Sequence, residues 1–119
     1  MNIVANIAVA LVAALHGYFL VLEMFLWTKP TGLQTFGLTP QFAEASKTLA
    51  ANQGLYNGFL AAGLLWGLFA PAGGYPFKLL FLGCVVVAGL FGGFTVGTNI
   101  LWVQALPGAI ALALVLLAK

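Results

Sequence analysis

Two ionisable side chains within the first apolar segment are the residues best suited to chemistry. Glu23 is one of only two acidic residues in the 119-residue chain, and His16 is its one histidine. They are seven residues apart, two helical turns, so both lie on one face if the segment is a helix. A carboxyl and an imidazole on a shared face can exchange protons with a bound molecule. We therefore take Glu23 and His16 as the candidate catalytic pair.

Further polar side chains fall at a similar depth in later segments. Four of them cover one helical arc of about 140°, at about 100° per residue: Asn52, Gln53, Tyr56 and Asn57. Gln104 is the polar interior residue of the last segment. Pro107 cannot donate to the Val103 carbonyl and should kink the helix beside Gln104. Together with Trp27, which lies close to the Glu23 face, these residues are the candidate substrate-binding set of one cavity that opens towards the first loop.

The composition is that of an integral membrane protein. Hydrophobic residues make up 63% of the chain and charged residues only 5%, against about 25% charged in soluble domains. Long runs that are apolar all round predict helices rather than barrel strands. The net charge of +2 gives no basic footprint for nucleic acid. No zinc motif or nucleotide-binding loop occurs, so we expect neither a metal nor a cofactor.

The apolar runs predict an all-α fold, a four-helix antiparallel membrane bundle in one domain, residues 1–119, with both termini on the same side. The helices are expected at about 3–27, 40–70, 76–97 and 99–118, with a loop at 28–39. Thr39 can cap the second helix and Pro40 suits its first turn. Lys29 and Lys47 lie on one side, Lys78 and Lys119 on the other, so the positive-inside rule gives no orientation.

Small residues recur every four positions in two of these segments. The rows are Gly54, Gly58 and Ala62 in the second and Gly89, Gly93 and Gly97 in the third. Such rows let helix backbones approach closely in lipid. They predict packing seams within one bundle, and the same spacing could build a homodimer face.

Several segments resemble a known family. They are Leu22-Glu23-Met24-Phe25-Leu26-Trp27, Asn52-Gln53-Gly54-Leu55-Tyr56-Asn57-Gly58, Phe81-Leu82-Gly83-Cys84 and Val103-Gln104-Ala105-Leu106-Pro107. They look like the recurring segments of domain of unknown function 1304, a family of small bacterial membrane proteins. A glutamate often precedes the residue that matches His16 there, whereas this chain has Leu15. The resemblance implies a four-helix membrane fold and the bacterial inner (cytoplasmic) membrane, and no established activity.

Three functions remain open. In the first, an intramembrane enzyme or binding protein holds a lipid-like or amphipathic molecule, its polar end at Glu23 and His16, for acid–base chemistry such as isomerisation or epoxide opening. In the second, a dimer with one carboxyl per chain is a proton-coupled exporter. In the third, the polar residues only join helices, where such hydrogen bonds contribute about 0.6 to 2 kcal/mol. A charged residue in an apolar segment favours function, because it costs a few kcal/mol to retain.

Overall fold

A computed structural model of the chain describes residues 2–70 and 72–118, and every element in that part is helical. The elements are α1 (Asn2–Met24), α2 (Pro30–Phe36), α3 (Pro40–Phe69), α4 (Gly74–Thr95), a π-helical turn (Leu101–Ala105) and α5 (Leu106–Ala118). The predicted all-α class is therefore confirmed. Lys119 lies outside the described residues.

Three of the described helical segments are long and apolar enough to cross a membrane: Ile3–Met24, Gly74–Thr95 and Leu101–Ala118. α3 is longer, at 30 residues, but it is not one of the three. Asn52, Gln53 and Asn57 interrupt its apolar run. The finding supports an integral membrane protein. A four-helix bundle with both termini on one side stays a prediction.

The segment after α1 differs from the loop expected at 28–39. α1 ends at Met24 rather than at Trp27, because the Leu26 N–H bonds to the Val21 carbonyl five residues back and the chain then turns. α2 follows, with Pro30 in its first turn and Gly37 in the left-handed region at φ 64° as its C-cap. α3 begins at Pro40, and the Phe42 N–H donates to Thr39 Oγ1 at 3.1 Å.

The described chain forms two compact units. Unit 1 comprises Met1–Ala13 and Leu60–Lys119, and unit 2 comprises Ala14–Phe59, so that α1 and α3 contribute to both. The core of unit 1 combines four helices. Its side chains without solvent exposure are Val9 of α1, Leu64 of α3, Leu82 and Val85 of α4, and Ala111 of α5.

Glycines set the spacing of the helices in unit 1. A Cβ at Gly89 would lie 2.5 Å from the Ala105 nitrogen, and one at Gly108 would lie 2.7 Å from Val85 Cγ1. Gly93 faces the Leu101 side chain. α4 therefore runs antiparallel to the π-helical turn and α5, with its backbone against theirs. These glycines of α4 pack within the chain, and homodimerisation through the glycine rows stays a prediction.

The last helix is distorted one turn before Pro107, close to the predicted kink. The Leu106 N–H bonds to the Leu101 carbonyl, five residues back, and residues 101–105 form a π-helical turn. Such turns insert one extra residue into a helix and are frequent at functional sites. Gln104 lies within it.

We predict that Gly89→Ala destabilises the protein by about 1 to 3 kcal/mol, the usual range for an overpacked contact. The new methyl group would meet the backbone of Ala105, so α4 and the π-helical turn must separate. The thermal midpoint in uncharged detergent, followed by circular dichroism, measures the loss.

The control for this substitution is Gly83→Ala on the same helix. Among the described residues, no atom beyond the neighbouring backbone of α4 lies within 4 Å of a Cβ at Gly83, so alanine should be neutral or stabilising by up to about 1 kcal/mol. Equal midpoints for the two variants would contradict the close approach at Gly89.

Candidate functional site

Small residues on α3 bring it against α1 within unit 2. A Cβ at Gly54 would lie 3.1 Å from Glu23 Cβ and 3.2 Å from the Leu20 carbonyl oxygen. A Cβ at Gly58 would lie 2.6 Å from Leu20 Cδ1. The numbers rise along α3 as they fall along α1, so the two helices are antiparallel here. The absence of a side chain at Gly54 places the α3 backbone beside Glu23.

The central contact of unit 2 is a hydrogen bond between Glu23 and Asn57. Asn57 Nδ2 donates to Glu23 Oε1 at 2.5 Å. Asn57 is buried, with 5% of its surface exposed, and Glu23 is partly buried. An amide N–H that donates to a carboxyl oxygen satisfies both groups where water is scarce. Asn57, one of the polar residues predicted to surround Glu23, is thus hydrogen-bonded to it.

A second polar contact joins the chain after α1 to α3. Trp27 Nε1 donates to Ser46 Oγ at 3.0 Å, while the Ser46 hydroxyl donates to the Phe42 carbonyl at 2.7 Å. The Trp27 ring also packs on Phe36 of α2, with 5.0 Å between ring centroids. Sequence reasoning did not single out Ser46. Its position could have been recognised from the helical period. Ser46 lies eleven residues, or three helical turns, before Asn57 and therefore on the same face of α3.

His16 is fully buried and lies deeper along α1 than Glu23. Its ring packs edge-on against Phe19, with centroids 5.3 Å apart and planes at 71°. The rise of seven helical residues separates His16 and Glu23 by about 10 Å along the axis. The two therefore act as a pair only through a molecule that spans this distance, and their shared role stays a prediction.

The remaining predicted site residues differ in exposure. Asn52 and Gln53 are exposed, and Tyr56, also exposed, packs edge-on against Phe59. Gln104 is partly buried in the π-helical turn of unit 1. Their part in ligand binding stays a prediction. Among the described residues no group of three or more His, Cys, Asp or Glu side chains is placed to hold a metal ion.

These features define a class of small all-helical proteins. Its members have helices long and apolar enough to span a membrane and a carboxyl group that is hydrogen-bonded to a neighbouring helix. The chain belongs to the DUF1304 family, described as a protein of unknown function, whose sequence profile matches residues 10–116. It is 31% identical over 117 residues to "Uncharacterized protein YpaA" of Lactococcus lactis subsp. lactis (strain IL1403), covering 97% of each chain. No solved structure matches significantly.

We predict that Asn57→Leu lowers the free energy of unfolding by about 1 to 3 kcal/mol, because it leaves the Glu23 carboxyl without its donor. Leucine is close to asparagine in size, so the loss reports the hydrogen bond more than a cavity. The thermal midpoint in uncharged detergent measures it.

Asn52→Leu is the matched control, because Asn52 is an exposed asparagine of the same helix. It should change stability by less than about 0.5 kcal/mol. In a Glu23→Gln background, Asn57→Leu should cost less than in the wild-type chain, since no charge is left unpaired. Equal losses for the two asparagine variants would show that the contact with Glu23 contributes nothing.

Proposed function

We propose that this protein binds, within the membrane, a small amphipathic or lipid-like molecule whose polar end meets Glu23. The Glu23–Asn57 hydrogen bond is the observation that carries this proposal. It holds a carboxyl group one residue before the end of a helix that is apolar and long enough to cross a membrane.

A purely structural role explains this pair less well. Interhelical hydrogen bonds in membranes contribute only about 0.6 to 2 kcal/mol, and two amides or a serine would supply one. A carboxyl group in an apolar segment costs a few kcal/mol to retain, and such residues mark functional sites by default. Gly54 and Gly58 already bring α1 and α3 together without any polar contact. The carboxyl is therefore not needed for packing.

The surroundings of Glu23 favour a ligand with a polar head and an apolar body. Asn57 occupies Oε1, and Oε2 can accept a hydrogen bond from a hydroxyl or amine of a ligand. The apolar side chains that share a face of α1 with Glu23 are Leu20 and Phe19, three and four residues before it, and both are partly buried. Ligand sites commonly combine such apolar walls with a few polar groups that fix orientation. Asn52, Gln53, Tyr56 and Trp27 are the further contacts we propose, with Gln104 as a candidate.

The chemistry that this set supports is proton transfer. A carboxyl is a general acid or base, and a histidine can take the opposite role at the other end of a bound molecule. An isomerisation takes a proton from one carbon of the ligand and returns one to another carbon. In epoxide opening the acid protonates the epoxide oxygen as its C–O bond breaks, and the base deprotonates the water that forms the new C–O bond. Neither reaction requires a metal. In such a reaction Glu23 and His16 exchange protons with the ligand, and Asn57 positions the Glu23 carboxyl.

The architecture that we propose for this function is one domain of four antiparallel helices in the bacterial inner membrane. α1, α3, α4 and the last helix cross in alternate directions, which puts both termini on one side. α3 is about 45 Å long by its helical rise, more than the about 30 Å of hydrocarbon. α3 is less apolar than the other long helices because it carries the amide side chains of Asn52, Gln53 and Asn57, which serve the proposed site.

The test compares the amphiphiles that remain bound to purified wild-type and Glu23→Gln protein. Each is exchanged from one uncharged detergent into another, extracted and measured by lipid mass spectrometry. We expect wild-type protein to retain one molecular class in a fixed ratio and Glu23→Gln to lose most of it. Glutamine keeps the Oε1 acceptor for Asn57, so the thermal midpoint should fall little.

Lys29→Gln is the control for purification, because Lys29 is exposed and lies outside the helices. It should retain the same molecule as the wild type. If Glu23→Gln bound the same amphiphiles in the same ratio while its thermal midpoint dropped sharply, Glu23 would be a structural residue and the proposal would fail.

A further inference from the structure

Lys78 is the one charged side chain among the described residues of unit 1. The chain has only two acidic residues, Glu23 and Glu44, and both belong to unit 2. No aspartate or glutamate occurs in residues 1–13 or 60–119. The Lys78 ammonium therefore has no acidic side chain in its own unit as a counter-ion. A charge in low-dielectric surroundings is stabilised by an opposite charge nearby.

Three helices position the Lys78 side chain. Its Nζ donates to Asn6 Oδ1 of α1 at 2.8 Å. Its stem packs on α3, where a Cβ at Gly67 would lie 2.9 Å from Lys78 Cγ. Lys78 and Asn6 are both partly buried. The ammonium is therefore held against α1 and α3 and does not extend freely into solvent.

The location of Lys78 matches the headgroup layer of a membrane. It lies four residues after the first residue of α4, which is about 6 Å by helical rise. Trp66, which is 62% exposed, packs edge-on against Phe77 with 6.5 Å between ring centroids. Exposed tryptophans near helix ends are typical of membrane–water interfaces. Lipid phosphates lie at the same level.

We propose that Lys78 and Asn6 form a binding site for a phosphate group, supplied by an anionic phospholipid. The Lys78 ammonium has three N–H donors and Asn6 accepts one of them. Because Asn6 accepts through Oδ1, its Nδ2 group offers two more donors beside the ammonium. These donors suit the oxygens of a phosphate, and the phosphate supplies the missing negative charge. The site is independent of the function proposed for Glu23.

The experiment measures the affinity of the full-length protein, in uncharged detergent, for three probes. The probes are dioleoyl phosphatidylglycerol, dioleoyl phosphatidylcholine and sodium phosphate. Each apparent dissociation constant comes from the probe-dependent rise in thermal midpoint. We expect phosphatidylglycerol to bind more tightly than phosphatidylcholine, whose headgroup carries its own cation. Lys78→Gln should weaken phosphatidylglycerol binding about fivefold, the effect of one lysine at an anionic surface.

Two variants keep this test decisive. Lys29→Gln removes an exposed lysine of unit 2 and should leave the affinity unchanged. Asn6→Asp keeps the side-chain shape but places a carboxylate beside Lys78, so it should abolish the preference for phosphatidylglycerol even if Lys78→Gln does not fold. Wild-type affinity in Asn6→Asp, or in folded Lys78→Gln, would overturn the site. An equal response to sodium phosphate that Asn6→Asp removes would support the site and identify free phosphate as its ligand.

Discussion

The requirement that a carboxyl group among apolar helices must have a hydrogen-bond donor explains much of unit 2. Glu23 is partly buried, so a donor on a neighbouring helix replaces part of its hydration. Asn57 can reach Glu23 only because α3 lies against α1 with no side chain at Gly54. The polar contact therefore depends on the glycine contact. Gly54 allows the two helices to approach closely, and Asn57 then donates a hydrogen bond to the Glu23 carboxyl.

The same combination recurs in unit 1 with the opposite charge. Lys78 donates to an amide oxygen of another helix, and Gly67 leaves room for its stem. Neither Glu23 nor Lys78 is paired with an opposite charge among the described side chains, whereas Glu44 forms an ion pair with Lys47 outside the apolar segments. An amide satisfies a charged group without neutralising it. Both charged groups thus remain able to attract a partner, a donor at Glu23 and an anion at Lys78.

Features of the fold that depend on a single local interaction could be predicted from the sequence. Thr39 and Pro40 marked the start of α3, because capping is local. Depth along the helices matched Asn52 and Gln53 to Glu23 and put Asn57 nearer the middle of the bilayer, whereas Asn57 is the residue that donates to Glu23. The arc of about 140° assigned to α3 was too broad to separate Asn57 from Asn52 and Gln53. The face of α3 that is buried in unit 2 is narrower: it contains Ala43, Ala50, Gly54 and Asn57, at steps of seven, four and three residues. Ser46 shares a face of α3 with Asn57 but was missed, and Asn6 was missed as a site residue because a single polar residue near a helix end carries no periodic signal.

The central claim is that Asn57 donates to the Glu23 carboxyl in the membrane, and a distance measurement tests it most directly. Solid-state nuclear magnetic resonance in lipid bilayers can detect dipolar coupling between 15N in asparagine side chains and 13C in glutamate carboxyls. The chain has only two glutamates, and Glu44 pairs with Lys47. We expect one coupled pair in the wild-type protein and its loss in Asn57→Leu. A wild-type spectrum without that coupling would contradict the account.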